Sequence, residues 1–367
     1  MENQDYLTKQ IITYIGNKRL LLPQIKQGVE IVLSELNQDK LSCLDLFAGS
    51  GIVSRFLKKY ADQIIANDLE YYSYVINDCY LSNKIDVDQA LLHDYFIVLK
   101  SHEHENNVGF VTQLYAPNND NNIQKGERVF YTKANAMYID NMLFNIFDKV
   151  PDQLRKYFIA PLLSEASIHV NTAGIFKAFY KDENGIGSFG ARGKNALSRI
   201  KGRICLEFPI FSNYKTSNTI FQEDANLLVD KLPMVDLCYL DPPYNQHPYG
   251  SNYFMLNCIA KNEKPLNIST VSGIPNDWQR SDYNSTKKNK AALIDLIGRI
   301  KAKYILLSFN NEGFIDYEEL VQILNNYGFI RIIKTKYNAY RGSRNLKNRE
   351  THVSEYLFLL KKEEYNK

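Results

Sequence analysis

"LSCLDLFAGSGIVSRFLKKYADQIIAND", residues 41–68, carries the pattern on which the architecture turns. Its first seven residues are an apolar run interrupted by Asp45 and read as a buried strand. Gly49 and Gly51 then form a tight turn at which a ligand can come close to the backbone. "GIVSRFLKKY" reads as a helix, and "QIIAND" (63–68) as a second strand ending in Asp68. The helix "YYSYVINDCYL" follows, and an apolar-periodic helix from Leu20 to Leu36 precedes. Strand, helix, strand, helix is the rhythm of a parallel sheet in an α/β fold. The dinucleotide fingerprint GxGxxG is absent, because Ile52, Val53 and Ser54 follow the second glycine, so hydride transfer is disfavoured.

The rhythm stops near residue 82 and resumes near 218. The intervening stretch holds Asn-rich polar segments, helix-like runs at 133–148 and 152–168, and the Gly-rich basic loop "GIGSFGARGKNALSRIKGR". An insertion of this size is expected to be a second, substrate-facing domain spanning 82–215, with 1–81 and 216–367 forming the sheet domain. Beyond it lie the strand "MVDLCYL" (234–240), a polar loop at 261–290 and the strand "KAKYILLSF" (301–309). A helix near 316–326 and two strand-like runs, "GFIRIIKTKY" and "SEYLFLL", then suggest a closing hairpin.

Composition removes several classes of function. The chain has 367 residues and five cysteines, at 43, 79, 205, 238 and 258, with no CxxC pair, which argues against a disulfide framework and a zinc site. "HEH" at 102–104 sits in a polar stretch and reads as solvated loop, so no metal is expected. The N-terminus is acidic, and no apolar run approaches the ~18 residues of a membrane span, which points to a soluble, cytoplasmic protein. Net charge is only +3, but it is segregated. Residues 187–205 hold Arg192, Lys194, Arg199, Lys201 and Arg203 without an acid, and 331–349 hold seven basic residues without one. Such stretches are either solvated faces or contacts for a polyanion.

The chemistry concentrates in "YLDPPYN" (239–245). Asp241 ends a buried strand, where open α/β sheets bind ligands. Pro242 and Pro243 remove two donors and stiffen the backbone. A carboxylate beside a carbonyl accepts two hydrogens from one amino group, and Tyr244 offers a face for a flat base; the plain alternative is a Pro-Pro turn capped by Asp. Asp68 likewise reads either as an acceptor for two ribose hydroxyls or as a helix N-cap. Asn245, Tyr253 and the lone Trp278 receive no role.

Taken in order, "YIGNKRLLLPQI" (14–25), "DLFAGSG" (45–51) and "DPPY" (241–244) resemble the D12 class of adenine-N6-specific DNA methyltransferases. "NDLEYYSYV", "SFNNEGF", "YRGSRN" and "SEYLFLLKK" are similar to the branch found in FokI- and NlaIII-type restriction systems. The resemblance implies a Rossmann-like class I methyltransferase sheet with a terminal antiparallel hairpin, an inserted target-recognition domain, and S-adenosylmethionine as cofactor. It implies that Tyr14, Gly16, Lys18, Asp45, Phe47, Ala48, Gly49 and Gly51 surround the cofactor's methionine part, that Asp68 holds its ribose, and that Asp224 with Ala225 meets its adenine. Asp241, Pro242 and Tyr244 become catalytic, and Arg192, Lys194, Arg199 and Lys201 contact double-stranded DNA. A cognate restriction endonuclease would share the site without necessarily touching the protein. Adenine N6 is buried in a duplex, so the base must be flipped out to react. Three readings stay open beside this one: cytosine-N4 methylation, methylation of an RNA base, and a non-catalytic DNA-binding protein on the same fold.

Overall fold

The computed structural model describes residues 2–190, 193–194, 196–310, 313–338 and 352–363. The apolar runs become strands β1 (Leu41–Asp45), β2 (Ala61–Asp68), β3 (Ser217–Gln222), β4 (Val235–Leu240) and β5 (Ala302–Asn310), followed by the hairpin β6 (Gly328–Asn338) and β7 (His352–Lys362). They form one seven-stranded sheet in the order β3-β2-β1-β4-β5-β7-β6. The first five strands are parallel, and β7 runs antiparallel to both β5 and β6. All six residues of β4 are buried, as befits a central parallel strand covered on both faces.

Period-two alternation sorts the strand residues between two cores. Cys43, Leu237, Tyr239, Tyr304 and Leu306 face one way, beneath helices α2 and α3. Leu44, Cys238, Leu240, Ile305 and Leu307 face the other, beneath α10, α13 and α14. The helices in chain order are α1 (Gln4–Thr8), α2 (Leu22–Leu36), α3 (Ile52–Leu57), α4 (Tyr71–Tyr80), α5 (Gln89–Ser101), α6 (Phe110–Tyr115), α7 (Lys133–Lys149) and α8 (Asp152–Ile168). They continue with α9 (Leu197–Lys201), α10 (Ala225–Leu228), α11 (Tyr249–Asn252), α12 (Phe254–Lys261), α13 (Asn289–Arg299) and α14 (Tyr317–Asn325). Helix α2 buries Leu22, Ile25, Val29 and Val32, a 3-4-3 spacing that makes one apolar stripe.

Residues 82–215 hold α5 to α9, and among the described residues they add no strand to the sheet. Their core contains Phe110, Tyr131, Ile139 and Leu163, but also Tyr72, Val75 and Ile76 of α4 and Phe254, Leu256 and Ile259 of α12. The insertion therefore shares one apolar cluster with helices that lie outside it in sequence. Helices α5 and α12 are apolar-rich, yet with α13 they lie outside the segments whose pattern reads as helical. Among the described residues, no helix is long and apolar enough to cross a membrane.

Gly28 lets α2 rest directly on the sheet: a Cβ there would stand 3.0 Å from Leu306 Cδ1. Gly28→Val is expected to overpack this contact and cost ~1–3 kcal/mol. Leu306→Ala, which opens a cavity, should cost ~2–5 kcal/mol. The double variant should cost less than the sum, because the cavity accepts the added side chain. Midpoints of chemical denaturation for the three variants provide the check.

Candidate active site

The glycine turn is held by its own backbone and by the end of β2. Gly49 adopts φ +51°, and a Cβ there would lie 2.8 Å from the Tyr14 ring, so only glycine fits. The Gly49 N–H donates to Asp68 Oδ2 at 2.7 Å, and the Glu70 N–H donates to Asp68 Oδ1 at 2.9 Å. Asp68 thus clamps the turn to the strand-to-helix corner. Burial raises its pKa, against the pull of these two bonds. Beneath the turn, Asp45 Oδ2 accepts from Ser54 Oγ at 2.6 Å, while Oδ1 is buried with no hydrogen-bond partner. Burial pushes the Asp45 carboxyl up to about 7 despite the Ser54 bond.

The opposite wall is set by Asn67, whose side chain donates to the carbonyls of Leu46 and Glu223 and accepts from the Glu223 N–H. This fastens the loop after β3 to the loop after β1. Asp224 caps α10, accepting from the Asn226 N–H at 2.9 Å. Phe47 and Tyr283 meet edge to face at 5.1 Å, an arrangement aromatic pairs favour. At the far end Tyr14 clusters with Tyr249 and Tyr253, whose ring centroids lie 5.1 and 4.9 Å from it and 5.9 Å from each other. Glu70 also faces this cleft; it is buried, accepts from Asn257 Nδ2 at 2.6 Å, and burial pushes its carboxyl up to about 8.

The cleft brings together Tyr14, Phe47, Asp68, Asp224, Ala225 and Asp241. Gly16, Lys18, Asp45, Ala48, Gly49 and Gly51 do not line it; the turn residues among them shape it from beneath. Lys18 departs from expectation most. Its ammonium is buried, 2.6 Å from Glu355 Oε1 and 3.2 Å from Asp241 Oδ1, so it meets the DPPY carboxylate from behind the lining of the cleft. Burial alone would lower the Lys18 pKa, but Asp241 first, with Tyr244 and Glu355, holds it well above the ordinary lysine value.

The DPPY turn is braced by the segment that follows β5. Asn310 Nδ2 donates to Tyr244 Oη at 2.8 Å, the Phe314 N–H donates to the Tyr244 carbonyl at 2.9 Å, and the Phe309 ring lies 5.5 Å from that of Tyr244. Among the described residues, no donor reaches the Pro242 carbonyl, and Lys18 alone reaches the Asp241 carboxylate. Asn245 closes its own turn by accepting from the His247 N–H, and its carbonyl accepts from Asn284. Tyr253 is a buried anchor: its hydroxyl accepts from the Ile15 N–H at 2.7 Å. Trp278 stacks with Arg280, 4.3 Å from ring to guanidinium.

The sequence model of the D12 class N6 adenine-specific DNA methyltransferase family matches residues 14–323. The chain belongs to this family. It is similar to the modification methylase StsI of Streptococcus sanguinis, 32% identical over 96% of this chain and 52% of that protein. Similarity extends to the type II methyltransferase M.NlaIII of Neisseria lactamica, at 30% identity over 96% of this chain and 99% of that one. The type II methyltransferase M.CviAII of Paramecium bursaria Chlorella virus 1 is 28% identical over 95% and 98% of the two chains. The chain thus spans about half of StsI and nearly all of the other two. Membership of this methyltransferase family implies S-adenosylmethionine-dependent chemistry in general, and enzymes of the class act on DNA.

In this D12 chain the basic loop differs from its sequence reading at one residue. Arg199 was expected to contact DNA, but its guanidinium donates to the carbonyls of Ile168, Val170 and Thr172 at the end of α8. Those carbonyls have no partner within the helix, and a guanidinium is suited to collecting several of them. Lys194 and Lys201 are exposed, with Lys201 Nζ 5.5 Å from the Phe189 ring centre; Arg192 lies outside the described residues. In the second basic stretch Arg331 pairs with Glu35 at 2.8 Å, and residues 339–349 lie outside the described residues. His102 of "HEH" donates from Nδ1 to the Val98 carbonyl, and no group of three or more metal-binding side chains occurs among the described residues. Arg199→Ala is expected to lower stability by ~1–3 kcal/mol by stranding these carbonyls, without changing the log-log salt slope of DNA binding. Thermal melting and binding titrations across salt concentrations measure the two effects separately.

Proposed function

We propose that this chain transfers a methyl group from S-adenosylmethionine to N6 of a flipped-out adenine at a specific site in double-stranded DNA, in the cytoplasm, as the modification enzyme of a type II restriction–modification system. The observation that carries the reading is the pairing of the Asp241 carboxylate with the undonated Pro242 carbonyl at the end of β4, beside a cleft lined by Asp68 and Asp224. The cleft suits the cofactor. Asp68 has acceptor capacity beyond its two backbone bonds for ribose hydroxyls, and the Phe47–Tyr283 wall with Asp224 and Ala225 suits an adenine ring. Tyr14 and Phe47 would hold the methionine part.

When bound, the cofactor supplies an electrophilic methyl group. The protein has to make N6 a better nucleophile, since its lone pair is delocalised into the purine ring. Two acceptors, Asp241 and the Pro242 carbonyl, hold both N–H bonds and favour a tetrahedral nitrogen, aligned for attack. Asp241 is also the nearest base for the proton that N6 loses. Tyr244, fixed by Asn310, Phe314 and Phe309, stacks on the extruded base. No covalent bond to the enzyme forms, and the five cysteines have no part. Residues 82–215 serve target recognition, with Lys194 and Lys201 on the DNA backbone.

Asp241→Ala should reduce methyl transfer at least ~100-fold while S-adenosylmethionine still binds. Labelled methyl transfer to DNA, with digestion to nucleosides, reads both the rate and the base; label on cytosine would overturn the adenine assignment. Tyr244→Ala should slow transfer more than Tyr244→Phe, which keeps the ring and loses the hydroxyl that Asn310 bonds.

Burial pushes the Asp241 carboxyl up to about 6, with Lys18 opposing. Because the ionised form is the acceptor, activity should fall as pH drops through about 6, and not through the ordinary carboxylate range near 4. A kcat/KM profile between pH 4 and pH 9 locates the acid limb.

A further inference from the structure

Glu355 sits on β7, far in sequence from every motif of the cleft, with 1% of its surface exposed. Its Oε1 accepts from Lys18 Nζ at 2.6 Å and from Ser308 Oγ at 2.9 Å. Lys18, 4% exposed, therefore stands between two carboxylates, Glu355 on one side and Asp241 on the other. Buried ion pairs seldom add net stability over a well-packed apolar alternative, because removing the charges from water is costly. A buried triad with one end on the acceptor's carboxylate invites a chemical explanation.

The charge count supplies one. Lys18 paired with Asp241 alone would form a neutral couple, with an ammonium competing for the oxygen that must accept from N6. It would also place a positive charge beside the attacking nitrogen, on which positive charge builds as the sulfonium loses its own. Glu355 adds a second carboxylate, so the triad carries one net negative charge, and its short bond to Lys18 draws the ammonium toward β7. Asp241 Oδ1 is then shared with Lys18 only at 3.2 Å, and Oδ2 remains for the acceptor.

Resting on the proposed role of Asp241, we propose that Glu355 is a positioning residue for methyl transfer: it holds Lys18 at the rim of Asp241 and offsets its charge, which leaves Asp241 Oδ2 free to accept from the amino group. The charged and titratable groups around Asp241 and its Lys18 are Glu355 from β7, Asp45 from β1, Tyr239 from β4, Tyr244 from the loop after β4 and Tyr249 from α11. Of these, Glu355 raises the Asp241 pKa and Lys18 lowers it.

The test compares the full-length wild type with Glu355→Gln, Glu355→Asp and the double variant Lys18→Met/Glu355→Gln. The substrate is unmethylated bacterial DNA with labelled S-adenosylmethionine, and cofactor affinity is measured by calorimetry. Glu355→Gln should lower kcat about tenfold or more, with cofactor affinity within about twofold of wild type. Loss of the neighbouring carboxylate should also move the acid limb of the pH profile to lower pH, even though the variant is slower. Glu355→Asp keeps the charge and should leave that limb near its wild-type position. The double variant, which buries no unpaired ammonium, should be no worse than Glu355→Gln in thermal melting. An unmoved acid limb in Glu355→Gln, or a rate loss matched by equal losses of cofactor affinity and melting temperature, overturns the proposal. Wild-type protein that binds S-adenosylmethionine but labels no adenine overturns the underlying reading of Asp241, an outcome distinct from an inert Glu355.

Discussion

Strands β1 and β4 are hydrogen-bonded neighbours running the same way, with Asp45 paired to Tyr239 at their carboxyl ends. The chain leaves β1 toward β2 on one side of the sheet and leaves β4 toward β5 on the other. Loops that depart in opposite directions leave a crevice between them, which is the general reason ligands collect at such points in open α/β sheets. The glycine turn and the DPPY turn both start here, so a methyl donor and a methyl acceptor would meet over this one pair of strands.

The electrostatics of the crevice follow from the same placement. Asp45, Asp68, Glu70 and Asp241 all end up around the cleft mouth or floor, and burial raises the pKa of each. Crowded, partly desolvated acids resist full ionisation, and a cation relieves them. A positively charged ligand such as a sulfonium fits that need. On the DPPY side the need is met by Lys18, and Glu355 keeps that lysine from cancelling the one carboxylate that has to act.

The helical insertion is bound into the same arrangement. Tyr14 belongs to the N-terminal motif, yet its neighbours are held by α8 through the Thr13 N–H to Ser167 Oγ, and by Tyr249 and Tyr253 next to α12. Since α4, α8 and α12 share one apolar core, a change in how the insertion packs would reach the Tyr14 stack through contiguous side chains. That puts the region expected to read DNA in one packed core with the rings beside the cleft.

The alternation of strands and helices, the boundaries of α7 and α8, the two sharp turns and the acids Asp68 and Asp241 were legible in the chain, because each rests on local signals: period, glycine, proline, and an acid at a strand end; Asp224 came from the family resemblance. Family motifs added the identity of the chemistry. What local pattern could not express was partnership across the chain. Glu355 looked like one more strand residue, Arg199 like one more cation in a basic loop, and Lys18 like part of a cofactor motif. Tertiary structure decided their roles, because a buried charge must find a partner wherever packing leaves one. For Lys18 and Glu355 that partner lies at the other end of the sequence; for Arg199 it is the open carbonyl end of a helix.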